Sequence, residues 1–163
     1  MLRSDDNGYT WGSPVKIGEG LNECAPLHLG EGRWLAAIRT TAGRDLRLFA
    51  SDDDGATWTD RGPVTKADEH PAHLLRLRDG RILLSYGNRN AGQTGVEALL
   101  SADEGSTWSA PLRLIELPKV DLGYPGSVQL PDGKVLTAYY ARQGPGCDNY
   151  HMGVVIWSVP EAD

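Results

Sequence analysis

Cysteine is scarce in these 163 residues, with Cys24 and Cys147 the only two and no CxxC spacing around either. A disulfide framework and a cysteine zinc site are therefore not expected. Long apolar runs are missing as well, because no segment approaches the roughly 18 to 20 consecutive apolar residues that span a bilayer. The opening Met1-Leu2-Arg3-Ser4-Asp5-Asp6 has no apolar stretch of the signal-peptide kind. A soluble chain without a membrane partner is the expectation, with its compartment left open. Basic charge is in deficit, 16 Lys plus Arg against 22 Asp plus Glu for a net charge of −6. Nucleic-acid binders normally show a basic surface, so no nucleic-acid partner is expected. Helical periodicity is lacking too, since no window of 11 or more residues repeats its apolar positions convincingly at the helical period.

Turn residues, in contrast, are plentiful. Twenty Gly and ten Pro accompany 40% apolar residues, enough for the core of about one domain broken into many short strands. The octapeptide pattern S-x-D-x-G-x-T-W occurs three times, at Ser4 to Trp11, Ser51 to Trp58 and Ser101 to Trp108. The starts lie 47 (51 − 4) and 50 (101 − 51) residues apart, the spacing of a repeat architecture. A second repeat interleaves with it, an apolar run, a tight turn and another apolar run, at Leu29 to Leu35, Leu77 to Leu83 and Leu130 to Leu136. In the later two the turn is Asp79-Gly80 and Asp132-Gly133, the strongest short-range hairpin signal. Each unit thus reads as four antiparallel strands in about 50 residues, which is one propeller blade. Strands are expected at 24–29, 33–39, 45–51 and 57–64, then at 73–77, 81–86, 96–101 and 107–114, with 134–142 and 150–157 in the last unit.

The octapeptide has a mechanical reading. A short Asp side chain accepts hydrogen bonds from nearby backbone N–H groups, Gly permits the reversal, and the Trp ring covers the corner. Asp52-Asp53-Asp54 invites a calcium reading, but such a site needs six to eight oxygens and the other copies lack the additional carboxylates.

These octapeptides are identified as Asp boxes, or BNR repeats, and the chain resembles the sialidase (neuraminidase) superfamily over essentially its whole length. The resemblance implies an all-β fold, a partial six-bladed β-propeller of about three blades. The expected divisions are 1–20 as the end of a truncated blade, 21–67 and 68–118 as complete blades, and 119–163 as a last blade lacking its fourth strand. A full ring needs roughly 300 residues, so the chain reads as the C-terminal half of a longer protein.

In a propeller the start of each innermost strand and the end of the next meet on one rim of the central channel. That rule gathers Asn22, Glu23 and Arg39, then His70, His73 and Arg89, then Asp121, Tyr124 and Arg142. Arginine suits a sugar carboxylate because its planar guanidinium matches the anion bidentately. A carboxylate nucleophile would be repelled by such a substrate, and sialidases use Tyr instead. By position, Tyr124 resembles the family's nucleophile, Glu23 its base partner and Arg39 the second arginine of its triad. Gln93 occupies the usual place of the third, for which Arg89 is the nearby substitute. Tyr140 stands where a bracing Glu is common, and Pro125 where Ser is commoner. His73 and Arg142 complete the expected substrate-binding set. The first triad arginine and the acid/base Asp belong to early blades, outside this chain.

No cofactor and no metal are expected, since His70 and His73 flank Pro71 without a third ligand. Arg76, Arg78 and Arg81 read as a solvated edge around an Asp-Gly turn. Two functions stay open from the residues: a retaining exo-α-sialidase-type hydrolase in the full-length protein, inactive as this fragment, and a non-catalytic propeller that binds a glycan or a protein. The partner of the first is an anionic sugar or glycan. Self-association through exposed blade edges is a further expectation.

Overall fold

The computed structural model describes all residues except Ser13, Pro145, Ala162 and Asp163. All regular structure among the described residues is strand: β1 (Leu21–Gly30), β2 (Arg33–Thr40), β3 (Leu46–Ser51), β4 (Thr59–Pro63), β5 (Glu69–Arg76), β6 (Ile82–Asn88), β7 (Gly95–Ser101), β8 (Leu112–Glu116), β9 (Leu122–Gln129), β10 (Val135–Gly144) and β11 (Cys147–Trp157). They form antiparallel sheets in the orders β1-β2-β3-β4, β5-β6-β7-β8 and β9-β10-β11. Each sheet is a meander, and the three together are a partial β-propeller. Among the described residues no helix is long and apolar enough to cross a membrane.

Two departures from the expected strands have local causes. The outer strands β4 and β8 begin later than residues 57 and 107, because Thr57 and Thr107 are held inside the preceding turns by bonds to Asp53 and Asp103. The inner strands begin earlier, β1 at Leu21 and β5 at Glu69, because a bulge carries pairing past the point where alternation breaks.

The blades are bound face to face by apolar side chains. Leu35, Leu46 and Leu48 of the first sheet pack with Leu74, Leu84 and Leu99 of the second. Leu83 and Leu100 meet Val135 of the third sheet, and Val96 meets Leu122, Tyr139 and Ala141. The middle sheet is covered on both sides, and β6 and β7 are accordingly buried along their whole length. Burying each such aliphatic side chain stabilises the fold by about 1.5–3 kcal/mol. Residues 1–12 include the first octapeptide turn, and residues 14–20 form a strap whose Ile17 joins Leu21 against Ala36, Ile38 and Phe49 on the far face of the first sheet.

The three octapeptide turns are near copies of one another. In the second, Gly55 N–H donates to Ser51 Oγ at 2.9 Å, Thr57 N–H to Asp53 Oδ1 at 2.8 Å and Thr57 Oγ1 to Asp53 Oδ2 at 2.6 Å. The same bonds recur about Asp6 and Asp103. Hydrogen bonds from the Thr side chain and backbone hold Asp53 and Asp103 down to about 2. Asp54, the acid beside them, accepts from Trp34 Nε1 at 3.0 Å and pairs with Arg3.

The arginines around the Asp79-Gly80 turn line a blade edge, with Arg76 and Arg78 exposed and Arg81 half-buried, and they also bond across blades. Arg76 donates to the Leu29 carbonyl, Arg78 to that of Leu130 and Arg81 to that of Pro160, each at 2.9 Å. Leu29 and Leu130 belong to the innermost hairpins of the adjoining blades and Pro160 to the tail after β11, so each guanidinium ties its edge to a carbonyl of another segment.

Candidate active site

Each innermost hairpin loses register at the same depth. Between the pairs Leu21–Thr40 and Cys24–Ile38, two residues, Asn22 and Glu23, stand opposite Arg39 alone. In the next blade His70 and Pro71, joined by a cis peptide, oppose Gly87. In the last, Tyr124 and Pro125 oppose Tyr139. These bulges turn side chains out of the sheet faces and toward the axis. Gly87 is required by close approach, since a Cβ there would lie 3.0 Å from both the Gly123 Cα and the His70 carbonyl oxygen. Tyr124 has a φ of +47°, a left-handed conformation that costs a bulky residue about 1–3 kcal/mol.

The Tyr124 hydroxyl donates to Glu23 Oε1, a contact between residues 101 positions apart. Arg39 Nη1 donates to the other oxygen, Oε2, at 3.1 Å. Burial raises the Glu23 pKa, but the hydrogen bonds from Tyr124 and Arg39, with the charge of Arg39, outweigh it and leave the carboxyl below its ordinary value. The bond to Glu23, burial and the Glu23 charge raise Tyr124, while Arg89 and Arg39 pull it down. A phenol and a carboxylate in contact is the resulting state.

Beside this pair is a cleft of about 370 Å³ lined by Arg39, Arg44, Asp68, His70, Arg89, Val120 and Asp121. Arg44 pairs with Asp68 at 2.8 Å. Arg89 has no ion pair among the described residues, and its Nε and Nη2 donate to the Leu122 carbonyl at 3.2 and 2.8 Å. His70 is 1% exposed, and its Nδ1, like Arg39 Nε, has no hydrogen-bond partner among the described residues. Burial and the charges of Arg89 and Arg39 push its pKa down to about 4, so the ring is neutral near pH 7. The lining is mixed in charge, with Asp68 and Asp121 beside the three arginines, and Arg89, with no ion pair among the described residues, is the cation in it best placed to meet an anion.

Glu23, Arg39 and Tyr124 therefore share one hydrogen-bonded group, with Arg89 in the cleft wall. His73 is elsewhere: its Nδ1 accepts the Ser127 N–H at 3.3 Å in the seam between blades, and the bulge puts His70 in the cleft instead. Gln93 is exposed and away from the cleft lining, its carbonyl accepting from Arg113 Nη1 at 2.7 Å. Arg142 is exposed at the outer lip, with its guanidinium carbon 5.9 Å from the centre of the Tyr150 ring. Tyr140 donates to Asp121, which also accepts from Tyr150 at 2.6 Å. Strand-end counting missed Arg44, Asp68 and Tyr150, because the first two sit in loops and the third begins its contact from an outer strand. No cluster of three or more metal-binding His, Cys, Asp or Glu exists among the described residues.

Antiparallel meanders of three or four strands, with recurrent octapeptide turns at one end and a charged cleft at the other, define a repeat propeller. Residues 1–137 match the family model for the BNR repeat-like domain, and the chain belongs to that family, within the sialidase superfamily. It is 27% identical to a sialidase of Micromonospora viridifaciens, over 91% of this chain and 24% of that protein. A protein of unknown function from Dyadobacter fermentans superposes with a TM-score of 0.80 at 33% identity, over 98% of this chain and 45% of the other. An α-L-arabinanase of Penicillium chrysogenum, complexed with arabinobiose, shares the fold with a TM-score of 0.67 at 18% identity, over 85% of this chain and 46% of that one. The chain thus spans less than half the length of these relatives. The family is one of glycan-active propellers, and glycosidases are among its relatives.

Proposed function

We propose that this rim is part of the active site of a retaining, exo-acting sialidase-type glycoside hydrolase whose substrate is an anionic sugar. The observation that carries the reading is the Tyr124–Glu23 hydrogen bond with Arg39 on the carboxylate's second oxygen. Arg39 and Arg89 hold the sugar carboxylate beside the phenol. Glu23, kept ionised, takes the phenolic proton as Tyr124 Oη bonds to the anomeric carbon and the glycosidic C–O bond breaks. A neutral phenol approaches that anionic sugar without the repulsion a carboxylate would meet. Water then cleaves the tyrosyl intermediate, and the proton returns from Glu23 to Tyr124. The first arginine and the acid that protonates the leaving oxygen fall, by resemblance, to other blades of the closed ring. The Tyr124 φ of +47° supports the assignment, since such strain concentrates at functional sites.

The test is hydrolysis of a fluorogenic sialoside by the protein with its ring complete. Glu23→Gln should lower kcat by about 10²–10⁴, and Tyr124→Phe should lower it further. Unchanged turnover in Tyr124→Phe overturns the assignment. A wild-type protein that binds the sialoside without cleaving it establishes the non-catalytic reading instead.

A further inference from the structure

Outside the cleft, three tyrosines step outward along the last blade. The Tyr124 and Tyr140 rings are 5.7 Å apart at 45°, and those of Tyr140 and Tyr150 are 6.5 Å apart and stacked at 29°. Tyr140 and Tyr150 both donate to Asp121, one to each carboxylate oxygen. Arg142 stands over the outer ring. Tyr150 is nevertheless 61% exposed. An exposed aromatic side chain held by a carboxylate, a stacked neighbour and a guanidinium is fixed in place before any ligand arrives, so little rotamer freedom is lost on binding.

We propose that Tyr140 and Tyr150 form a ledge for a second sugar ring, the one to which the anionic sugar is joined. This rests on the anionic-sugar reading of the adjoining cleft. A pyranose presents a face of C–H groups, which stacks on a tyrosine ring, and an equatorial belt of hydroxyls, which needs polar partners. The ledge offers both: the exposed ring of Tyr150 for the apolar face, and Asp121 and Arg142 at its margin for the hydroxyls. Its continuity with Tyr124 sets the register, so that a glycosidic bond at the phenol places the next ring over Tyr140 and Tyr150. The ledge therefore selects for what the anionic sugar is attached to, while the cleft selects the anionic sugar itself.

Binding of three probes to the ring-complete protein, with hydrolysis blocked by Glu23→Gln, measured by isothermal calorimetry or ligand-observed NMR, separates the two. The probes are 3′-sialyllactose, N-acetylneuraminic acid alone and lactose alone. Tyr150→Ala should weaken 3′-sialyllactose roughly three- to tenfold, the range of one aromatic contact, and leave N-acetylneuraminic acid unchanged. Tyr150→Phe keeps the ring and loses the Asp121 bond, so its loss should be smaller. Circular dichroism confirms that these exposed-site variants fold. Equal loss for the trisaccharide and the monosaccharide, or no loss for the trisaccharide, overturns the ledge. Lactose binding that Tyr150→Ala weakens, with no sialoside binding, supports the ledge and discards the anionic-sugar reading. A ring-complete protein, unaltered at Tyr150, that binds none of the three discards both.

Discussion

The two ends of the strands follow opposite rules. At the octapeptide end the Ser, Asp and Thr groups close on one another within each motif, and the geometry repeats almost unchanged from Asp6 to Asp53 to Asp103. At the cleft end the backbone defect repeats while its occupants differ: Asn22-Glu23, His70-Pro71 and Tyr124-Pro125. Groups there bond across blades or, like His70 Nδ1 and Arg39 Nε, to nothing among the described residues. Among the described residues the octapeptide end leaves one buried polar atom without a partner, Trp108 Nε1, whereas the cleft end leaves two, His70 Nδ1 and Arg39 Nε, on residues that line the same cavity. Repetition therefore marks the scaffold, and variation within a repeated defect marks the site.

Several substitutions put pressure on that contrast. The largest effect belongs to Glu23→Gln in the ring-complete protein, where a fall of about 10²–10⁴ in kcat should come with an unchanged Tm. A large loss of Tm would mean that the cleft end is scaffold after all. Leu84→Ala removes a fully buried side chain between the first two blades and should cost about 2–5 kcal/mol by urea denaturation. It weakens both ends together, and glycan binding should fail only as the chain unfolds.

Asp53→Ala should lower Tm and leave glycan affinity intact, because it removes the acceptor for Thr57 and nothing at the cleft. The same carboxylate gives a pH test. Asp53 and Asp103 sit at about 2 when folded against an ordinary 3.8, so their stabilisation is full above that ordinary value and is lost as pH falls from there toward 2. Acid-titrated circular dichroism should show this loss, and Asp53→Asn should flatten it. The smallest effect is that of the exposed Asp52→Ala, expected within about 0.5 kcal/mol of wild type. A larger change there, or one that depends on calcium, would reopen the ion reading of the triple aspartate.

The scaffold was legible because its instructions are local. Ser51, Asp53, Gly55 and Thr57 carry their own hydrogen-bond partners within the motif, and Asp79-Gly80 encodes its hairpin in two residues. The meeting of Tyr124 with Glu23 could be anticipated only through the propeller rule, since 101 residues separate them. That rule counts positions in regular strands and gathered both His70 and His73, whereas the bulge at His70-Pro71 leaves His70 in the cleft and His73 in the seam. Arg76 and Arg78 near Asp79 are exposed as expected, but their bonds to the Leu29 and Leu130 carbonyls were not legible, because a sequence does not show which segment faces them. Arg44, Asp68 and Tyr150 lacked any strand-end signal, and their places depend on loop paths and on the packing of outer strands.

The grip of Arg89 on the Leu122 carbonyl has a mechanical corollary. Leu122 is two residues ahead of Tyr124, so the guanidinium that greets an incoming charge also steadies the peptide on which the phenol is mounted. A ligand that drew Arg89 away would loosen its own target, whereas one that leaves the carbonyl bond intact finds sensing and aiming performed by a single side chain.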